Sequence, residues 1–288
     1  MRLQELVERY GVRFKRQLGQ NLLLDGNINR IMVDAAVLTP DDAVIEVGAG
    51  LGALTRQIAE AAGRVLAIEI DPAFMPCLED QFGESPNIRL FRGDALNHDP
   101  AKLAAEYLPG AARYKMVSNL PYYVTTPMLF HFWESALPVE RMVVMVQEEV
   151  AARLNAPPNG RNYGVLSLAA AYFCETDIVH HVPRTCFRPA PKVDSCIVRM
   201  RMRKEPLFPG TPKPLLMRVV RAAFAKRRKT LRNALVNSPS LGMPKDAVLA
   251  AFESTGVSPE RRAQTLDLGE FAALASAIDE HARGFQHS

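Results

Sequence analysis

The sequence predicts an α/β fold with a mainly parallel sheet, followed by a small all-α domain at the C-terminal end. Apolar runs alternate with segments of helical periodicity between residues 42 and 147, which is typical of βαβ units. The glycine-rich stretch 48–52 directly follows the first apolar run and opens a helical segment. Four prolines between residues 204 and 214 separate this region from three further helical patterns.

The individual elements follow from the spacing of apolar residues. Strands are predicted over residues 42–47, 64–70 and 88–92, immediately before Asn119, and over 142–147. Helices are predicted over residues 27–38, 53–62, 72–82 and 166–172, and then over 215–236, 245–254 and 268–282. Two alternating segments, 176–182 and 193–202, are expected to close the sheet with antiparallel strands. These elements predict two domains, residues 1–204 and residues 205–288.

The composition is that of an ordinary soluble globular protein, with 48% hydrophobic and 23% charged residues. No apolar run approaches the length needed to span a bilayer, and the first residues lack the apolar segment of a signal peptide. The four cysteines have no CxxC spacing, and the six histidines show no ligand or triad spacing. We therefore expect a cytoplasmic protein with reduced thiols and no metal site.

The net charge of +4 hides a strong asymmetry along the chain. The window from Arg199 to Arg232 holds 12 basic residues and one acidic residue, Glu205, so it carries +11 and the remainder carries 4 − 11 = −7. A dense basic band on an acidic body indicates a surface that faces a polyanion, although a solvated helix face is the simpler alternative. The residues expected to contact phosphates are Arg221, Lys226, Arg227, Arg228 and Lys229.

Polar or glycine residues lie at the ends of four successive predicted strands, at Gly48, Glu69, Asp94 and Asn119. In parallel sheets, ligands bind beyond the carboxyl ends of the strands. The spacing GxGxG differs from the GxGxxG of nicotinamide-binding folds, and no P-loop lysine follows. An acid at Glu69 can take both ribose hydroxyls, and Asp94 can accept from an adenine amino group. Together the four positions predict a nucleoside site, against the alternative of four independent turns.

The stretch Ser118-Asn119-Leu120-Pro121-Tyr122 carries the most specific chemistry in the chain. Asn119 offers an amide oxygen as an acceptor, and Pro121 pushes Leu120 out of the helical region, which directs the Leu120 carbonyl away from any following helix. Tyr122 offers a flat face on which a base can stack. Two acceptors and a platform suit the exocyclic amine of a flipped adenine. The alternative is a Pro-Tyr turn with a local asparagine cap.

The pattern at the strand ends resembles that of class I methyltransferases that use S-adenosyl-L-methionine, and the Asn-Leu-Pro-Tyr tetrad resembles their adenine-N6 branch. Three further segments are similar to those of the small-subunit (16S) ribosomal RNA adenine N6,N6-dimethyltransferases. They are Leu18–Leu23, similar to FGQNFL; Phe187–Ser195, similar to FxPPPKVDS; and the basic helix Phe224–Leu235. Leu18 and Leu22 replace the usual phenylalanines and Ala190 a usual proline, changes that concern local packing rather than chemistry.

The resemblance implies a Rossmann-like class I methyltransferase sheet with a helical C-terminal domain that docks RNA. It also implies S-adenosyl-L-methionine as cofactor and S-adenosyl-L-homocysteine as product. The implied partner is 16S ribosomal RNA in the small ribosomal subunit or its precursor, bound by a monomer. The implied cofactor-binding residues are Asn21, Leu23, Gly48, Glu69, Asp94 and Asn119. The implied catalytic residues are Asn119, Leu120, Tyr122 and Phe187, with the two aromatic rings on opposite faces of the adenine.

The expected reaction is transfer of methyl groups to N6 of two adjacent adenosines near the 3′ end of the RNA. Because the N6 lone pair is delocalised into the ring, acceptors at the Asn119 amide and the Leu120 carbonyl would favour a pyramidal nitrogen. Placement then matters more than acid–base work. Three alternatives stay open: the large-subunit adenine methyltransferase that confers macrolide resistance, a DNA adenine methyltransferase, and an assembly checkpoint protein without catalysis. Intact Glu69, Asp94, Asn119 and Tyr122 argue against the last.

Overall fold

A computed structural model describes residues 3–12, 20–226 and 228–286, so Leu18 and Arg227 lie outside the described residues. The chain divides into two compact units. The first comprises Met1–Ala151 and Thr176–Met202, and the second comprises Ala152–Glu175 and Arg203–Ser288. The predicted division at residue 204 differs in one respect, because the segment Ala152–Glu175 packs with the second unit. The functions assigned to the two predicted domains stay predictions.

Nine strands form two sheets in the part of the chain that the structure describes, one of two strands and one of seven. The strands are β1 Leu22–Leu23, β2 Ala43–Val47, β3 Arg64–Glu69, β4 Ile88–Arg92, β5 Tyr114–Asn119, β6 Val139–Gln147, β7 Cys174–Val182, β8 Phe187–Arg188 and β9 Ser195–Met202. β1 pairs with β8, and the large sheet has the order β4-β3-β2-β5-β6-β9-β7. The strands from β2 to β6 pair in parallel, whereas β9 runs antiparallel to β6, which confirms the predicted antiparallel strand over the second of the two alternating segments.

The strand order creates a crevice at the middle of the large sheet. The chain moves outward from β2 through β3 to β4 and then returns to the other side of β2 as β5. Such a reversal leaves the carboxyl ends of the two central strands free of a crossover connection, and ligands of open α/β sheets bind there. β2 is buried along its whole length, as its apolar sequence predicts, and it ends at the glycine turn.

Helices accompany the strands of the first unit and alternate with them from β2 to β6, and the last of these helices continues into the second unit. They are α1 Leu3–Arg9, α2 Gly26–Ala36, α3 Ala53–Ala61, α4 Met75–Phe82, α5 Pro100–Tyr107, α6 Thr125–Glu134 and α7 Glu148–Leu154. α2 shows why these segments are helical: the side chain of Asp25 accepts from the Asn27 backbone N–H at 2.9 Å and caps the helix. Ile28 and Met32, one turn apart, are buried on its inner face.

The second unit is all-α apart from the first residues of β7. Its helices are α8 Val165–Phe173, α9 Lys213–Phe224, α10 Leu231–Leu235, α11 Lys245–Thr255 and α12 Leu268–Gln286. The Tyr163 hydroxyl donates to the Leu266 carbonyl at 2.8 Å, and its ring packs edge-on against Phe224. Throughout the described part of the chain, no helix combines the length and the apolar character that crossing a bilayer requires.

The predicted continuous helix over residues 215–236, and with it the basic helix Phe224–Leu235, is wrong. α9 ends at Phe224 and α10 begins only at Leu231. Thr230 starts the new helix, because its hydroxyl accepts from the Asn233 backbone N–H, and the Lys229 N–H bonds to the Lys226 carbonyl in a turn. The exposed residues Lys226, Arg228 and Lys229, here called the basic turn, therefore lie between two helices.

Candidate active site

The glycine turn after β2 needs glycine at three positions. Gly48, Gly50 and Gly52 have φ values of +83°, +57° and +81°, in the region that favours glycine. A Cβ on Gly52 would also lie 2.3 Å from the ring of Phe82. The backbone N–H of Gly48 donates to the Ile68 carbonyl at 2.8 Å, which ties the turn to the adjacent strand β3. The turn is therefore held tightly against the ends of β2 and β3.

Glu69, the last residue of β3, supports the same turn. Its Oε2 accepts from the Gly50 backbone N–H and its Oε1 from the Asp71 backbone N–H, both at 2.8 Å. The carboxyl is buried, and this burial raises its pKa although the backbone N–H groups oppose the shift. Each oxygen has two lone pairs, so both can accept a further hydrogen bond from a ligand hydroxyl.

Asp94 follows β4 and is held by a short 3₁₀ helix, Ala95–Asn97. Its Oδ1 accepts from the Leu96 backbone N–H at 3.0 Å, as expected of a residue that caps a helical turn. The cap fixes the carboxylate at the edge of the sheet. Its remaining lone pairs can accept from an amino group on a ligand.

Asn119 ends β5, and the loop after it is anchored at several atoms. The Leu120 side chain is buried, and the Pro121 carbonyl accepts from the Val124 backbone N–H at 3.1 Å. A Cβ on Gly48 would lie 3.4 Å from the Pro121 ring, so there is little room for a side chain between the glycine turn and this loop. The Tyr122 hydroxyl lies 2.7 Å from Ser195 Oγ. The tetrad is therefore a rigid loop beside the glycine turn.

These elements surround one open cavity of about 1070 Å³, a volume that includes the solvent at its mouth. Eight of the predicted site residues line it together: Asn21, Leu23, Gly48, Glu69, Asp94, Asn119, Leu120 and Tyr122. They come from the N-terminal segment and from the ends of four strands. The topology explains this convergence, since the parallel strands β2 to β5 all end at the same edge of the sheet.

Phe187, predicted to stack on the adenine, is not among the residues that line the cavity. It lies in β8, where it pairs with Leu23 of β1, and only 3% of its surface is exposed. Its ring belongs to the hydrophobic core with Ile28 and Met32. Phenylalanine is often fully buried in protein cores. Sequence similarity alone therefore did not distinguish a ring in the core from a ring that offers an exposed stacking surface.

Some residues that line the cavity were not predicted, and three of them lie in β2 or in the segments that follow β3 and β5. Glu46 lies within the buried strand β2, Ile70 follows Glu69, and Tyr123 follows Tyr122 with half of its surface exposed. Glu46 had a sequence signal, because a carboxyl inside an otherwise apolar strand is rare without a specific role. Burial raises its pKa to about 8, although a 2.6 Å hydrogen bond from the Thr55 hydroxyl opposes this and the charge of Glu69 adds to it.

The buried carboxyl of Glu46 should make stability depend on pH. Its folded pKa of about 8 exceeds the unfolded value of about 4.3. The stability that the protonated carboxyl contributes is therefore fully present at low pH and is lost as the pH rises through 8. The Glu46→Gln variant lacks this loss. Relative to the parent, its free energy of unfolding in urea should rise between pH 5 and 8, by at most about 1.4 kcal/mol per pH unit. A difference independent of pH would show that Glu46 is ionised in the folded protein.

Taken together, the strand order, the glycine turn and the polar residues at the ends of β3, β4 and β5 define a class I methyltransferase. The sequence model of the ribosomal RNA adenine dimethylases matches residues 11–280, and the chain belongs to that family. A relative from Geobacillus kaustophilus (strain HTA426), named ribosomal RNA small subunit methyltransferase A, is 44% identical over 278 residues, 96% of this chain and 95% of the relative.

Two solved structures agree with this family. A dimethyladenosine transferase from Plasmodium falciparum has a TM-score of 0.75 at 25% identity, over 90% of this chain and 98% of that one. The 23S rRNA methyltransferase ErmE has a TM-score of 0.63 at 26% identity, over 90% of this chain and 100% of that one. The predicted fold class, the enzyme class and the resemblance to this family are thereby confirmed.

Proposed function

We propose that the protein transfers methyl groups from S-adenosyl-L-methionine to N6 of two adjacent adenosines near the 3′ end of 16S ribosomal RNA, forming N6,N6-dimethyladenosine. The observation that carries the proposal is the rigid Asn119–Tyr122 loop, which lines the same cavity as the glycine turn. The relative at 44% identity carries a small-subunit name, which favours the small-subunit RNA over the large-subunit RNA as substrate.

The residues of the cavity fit an adenosine-containing cofactor. Glu69 retains lone pairs for the ribose hydroxyls, and Asp94 retains lone pairs for the adenine amino group. Gly48 brings backbone within reach of a ligand without a side chain in the way, while Asn21 and Leu23 close the cavity from the N-terminal segment. When bound, this cofactor supplies an electrophilic methyl group on a sulfonium.

Asn119 and its loop orient the nucleophile. The Asn119 amide oxygen and the Leu120 carbonyl accept the two hydrogens of the adenine amine and aim its lone pair into the cavity. Tyr122 supports the flipped base by stacking. The loop is rigid before the base arrives, and such orientation can contribute several kcal/mol to the rate. The proton released from N6 is acidic once the nitrogen is alkylated, so water can take it.

Glu69 provides the test of cofactor binding. The Glu69→Ala variant should bind S-adenosyl-L-homocysteine about tenfold more weakly or worse, because the variant has no charged acceptor for the ribose hydroxyls. Glu69→Gln, which keeps an acceptor oxygen, should lose less. Glu84→Ala, which removes an exposed carboxylate outside the cavity, is the control for net charge. Titration calorimetry giving the parental affinity for Glu69→Ala would remove Glu69 from the site.

The basic turn is proposed to bind RNA phosphates together with Arg221, and Arg227 is included on sequence grounds. Replacing Lys226, Arg228 and Lys229 by alanine should weaken RNA binding. It should also flatten the plot of log affinity against log salt, by about 0.7–0.9 for each phosphate that the variant no longer neutralises. The matched control removes three other exposed cations, Arg30, Lys102 and Lys245. Equal salt slopes for the two triple variants would contradict a specific docking role.

We further propose that the protein acts in the cytoplasm, as a monomer, on the small ribosomal subunit or its precursor. Incubation with labelled S-adenosyl-L-methionine and separately purified, unmethylated small and large subunits tests the choice of substrate. Label should enter the RNA of the small subunit. Label confined to the large subunit would identify the alternative reaction, and label in neither would favour a protein that has lost catalysis.

A further inference from the structure

Ser195 belongs to the Phe187–Ser195 segment, which the proposed mechanism has left without a role. It is the first residue of β9, and none of its surface is exposed. Its hydroxyl lies 2.7 Å from the Tyr122 hydroxyl, across 73 residues of sequence. A buried hydroxyl of this kind needs a partner, and here the partner is the ring proposed to support the target base.

The backbone around Ser195 is itself firmly held. The Asp194 carbonyl accepts from the Glu148 backbone N–H at 3.1 Å, and Asp194 Oδ1 accepts from the Arg184 backbone N–H at 3.0 Å. The Arg184 guanidinium in turn donates to the Lys192 carbonyl at 3.2 Å. These bonds fix the turn into β9, so the Ser195 hydroxyl is presented from a rigid support rather than from a free loop.

Strand β6 connects Ser195 to Asn119. Ser195 pairs with Gln147 of β6, and Asn119 of β5 pairs with Met145, two residues earlier on the same strand. The sheet register therefore sets the distance between the Asn119 amide and the Ser195 hydroxyl. Leu120 and Pro121 anchor the backbone of the loop, whereas the bond to Ser195 acts on the tip of the Tyr122 ring itself.

We propose that Ser195 is a positioning residue, which holds the ring of Tyr122 in the orientation that stacks the target adenine beside Asn119. The inference rests on the proposed adenine-N6 activity and deepens it. An aromatic ring pinned at its hydroxyl has lost its freedom to swing, so the platform is formed before the base enters. Segment Phe187–Ser195 then contributes to catalysis through Ser195, although Phe187 is in the core.

A second property separates this bond from ordinary packing. Burial raises the pKa of Tyr122, and the hydrogen bond with Ser195 opposes that shift. Tyr122 is therefore a neutral phenol at neutral pH. Removing the Ser195 hydroxyl should raise the pKa of Tyr122 further, which can be followed by NMR of protein labelled with carbon-13 at the tyrosine Cζ. A purely structural serine elsewhere would not move this titration.

The test is a double-mutant cycle of Ser195→Ala and Tyr122→Phe on the full-length protein. The measured quantity is the single-turnover rate of methylation of unmethylated small subunits at saturating cofactor. Each single variant should be about 3- to 10-fold slower, as expected for one hydrogen bond, with little change in RNA affinity. The double variant should be no slower than the slower single variant, because both changes remove the same bond.

A matched control is Ser167→Ala in the second unit. Ser167 is also buried, and its hydroxyl donates to the Arg153 carbonyl at 2.6 Å. Combined with Tyr122→Phe, Ser167→Ala should give multiplicative effects on the rate and leave the Tyr122 titration unchanged. It therefore shows what loss of a buried serine bond does without the positioning role.

The outcomes separate the two proposals. A parent that methylates small subunits, together with a Ser195→Ala variant at the parental rate or with multiplicative effects in the cycle, would overturn the positioning role alone. A parent that methylates neither subunit would overturn the proposed function and the positioning role with it. Non-additive rates together with a raised Tyr122 pKa in Ser195→Ala would establish Ser195 as the residue that positions the platform.

Discussion

The Asn119→Ala variant should methylate unmethylated small subunits about 10²–10³-fold more slowly than the parent in a single turnover. This is the loss typical of removing one preorganised polar group at a reacting centre. The amide of Asn119 lies at the end of β5 on a loop fixed by Leu120 and Pro121, so no neighbouring residue can replace it without moving the backbone. The target adenine would still stack on Tyr122, but only the Leu120 carbonyl would remain to accept a hydrogen bond from its amine.

RNA binding should change little in Asn119→Ala, because most RNA affinity comes from phosphate contacts rather than from the amine. The matched control is Asn87→Ala. Asn87 is also an ordered asparagine of the same unit, but its amide donates to the Ala59 and Ala62 carbonyls and does not line the cavity. It should lose some stability and keep the parental rate. Equal rates for parent and Asn119→Ala would reduce the tetrad to a turn.

The Lys115→Met variant should lose more stability than any other variant named above. Its free energy of unfolding should fall by about 3–5 kcal/mol at pH 7, because a buried carboxylate is left without its cation. The Lys115 ammonium lies 2.8 Å from Asp42 Oδ2 and 2.6 Å from the Val37 carbonyl. The Asp42 side chain is fully buried, and that of Lys115 is 9% exposed. The pair stands at the end of the sheet opposite to the cavity, next to the start of β2 and β5.

The loss of stability in the Lys115→Met variant should depend on pH. Burial alone would raise the pKa of Asp42, but the hydrogen bonds from Lys115 and Thr39 lower it below its usual value. In the parent, the stability from this carboxylate is present above the unfolded pKa of about 3.9 and is lost as pH falls through the lower folded pKa. Without Lys115, burial raises the pKa of Asp42, so the carboxyl can take a proton. The difference in free energy of unfolding between the parent and the variant should therefore become smaller towards pH 4.

Two further variants complete the test of the buried pair. Adding Asp42→Asn to Lys115→Met removes the uncompensated charge and should restore part of the lost stability. Lys102→Met, at an exposed site of the same unit, should change the free energy of unfolding by less than about 0.5 kcal/mol. A Lys115→Met protein as stable as the parent at pH 7 would mean that Asp42 is already protonated in the folded chain.

Much of the fold and of the cavity was predictable because the determining signals are local. A strand such as β2 is buried at every position and apolar at four of its five residues, and the glycines after it indicate a turn that residues with a side chain rarely adopt. Once the strands are known to be parallel, their last residues must meet at one edge. Four cavity residues at the ends of these strands could therefore be named from sequence: Gly48, Glu69, Asp94 and Asn119. Leu120 and Tyr122 belong to the loop that follows Asn119, whereas Asn21 and Leu23 were implied only by the resemblance to the family.

The remaining features depend on contacts between distant segments or on competition between neighbouring signals. The bond between Tyr122 and Ser195 spans 73 residues and follows from the register of β6 with two other strands. The helix breaks after Phe224 because Thr230 caps a new helix. The lysines and arginines around it have high helix propensity, so the sequence did not indicate this break. Phe187 is apolar, and an apolar residue type does not indicate whether the ring lies in the hydrophobic core or at the cavity.

The most direct test of the adenine-N6 assignment is identification of the methylated nucleosides by mass mapping. Unmethylated small subunits would be incubated with S-adenosyl-L-methionine and either the parent or Asn119→Ala, and their RNA digested and sequenced by mass. The parent should convert two adjacent adenosines near the 3′ end to N6,N6-dimethyladenosine, and Asn119→Ala should leave both largely unmodified. Methyl groups on another base, at another nitrogen, or in equal amount with Asn119→Ala would contradict the role given to this loop.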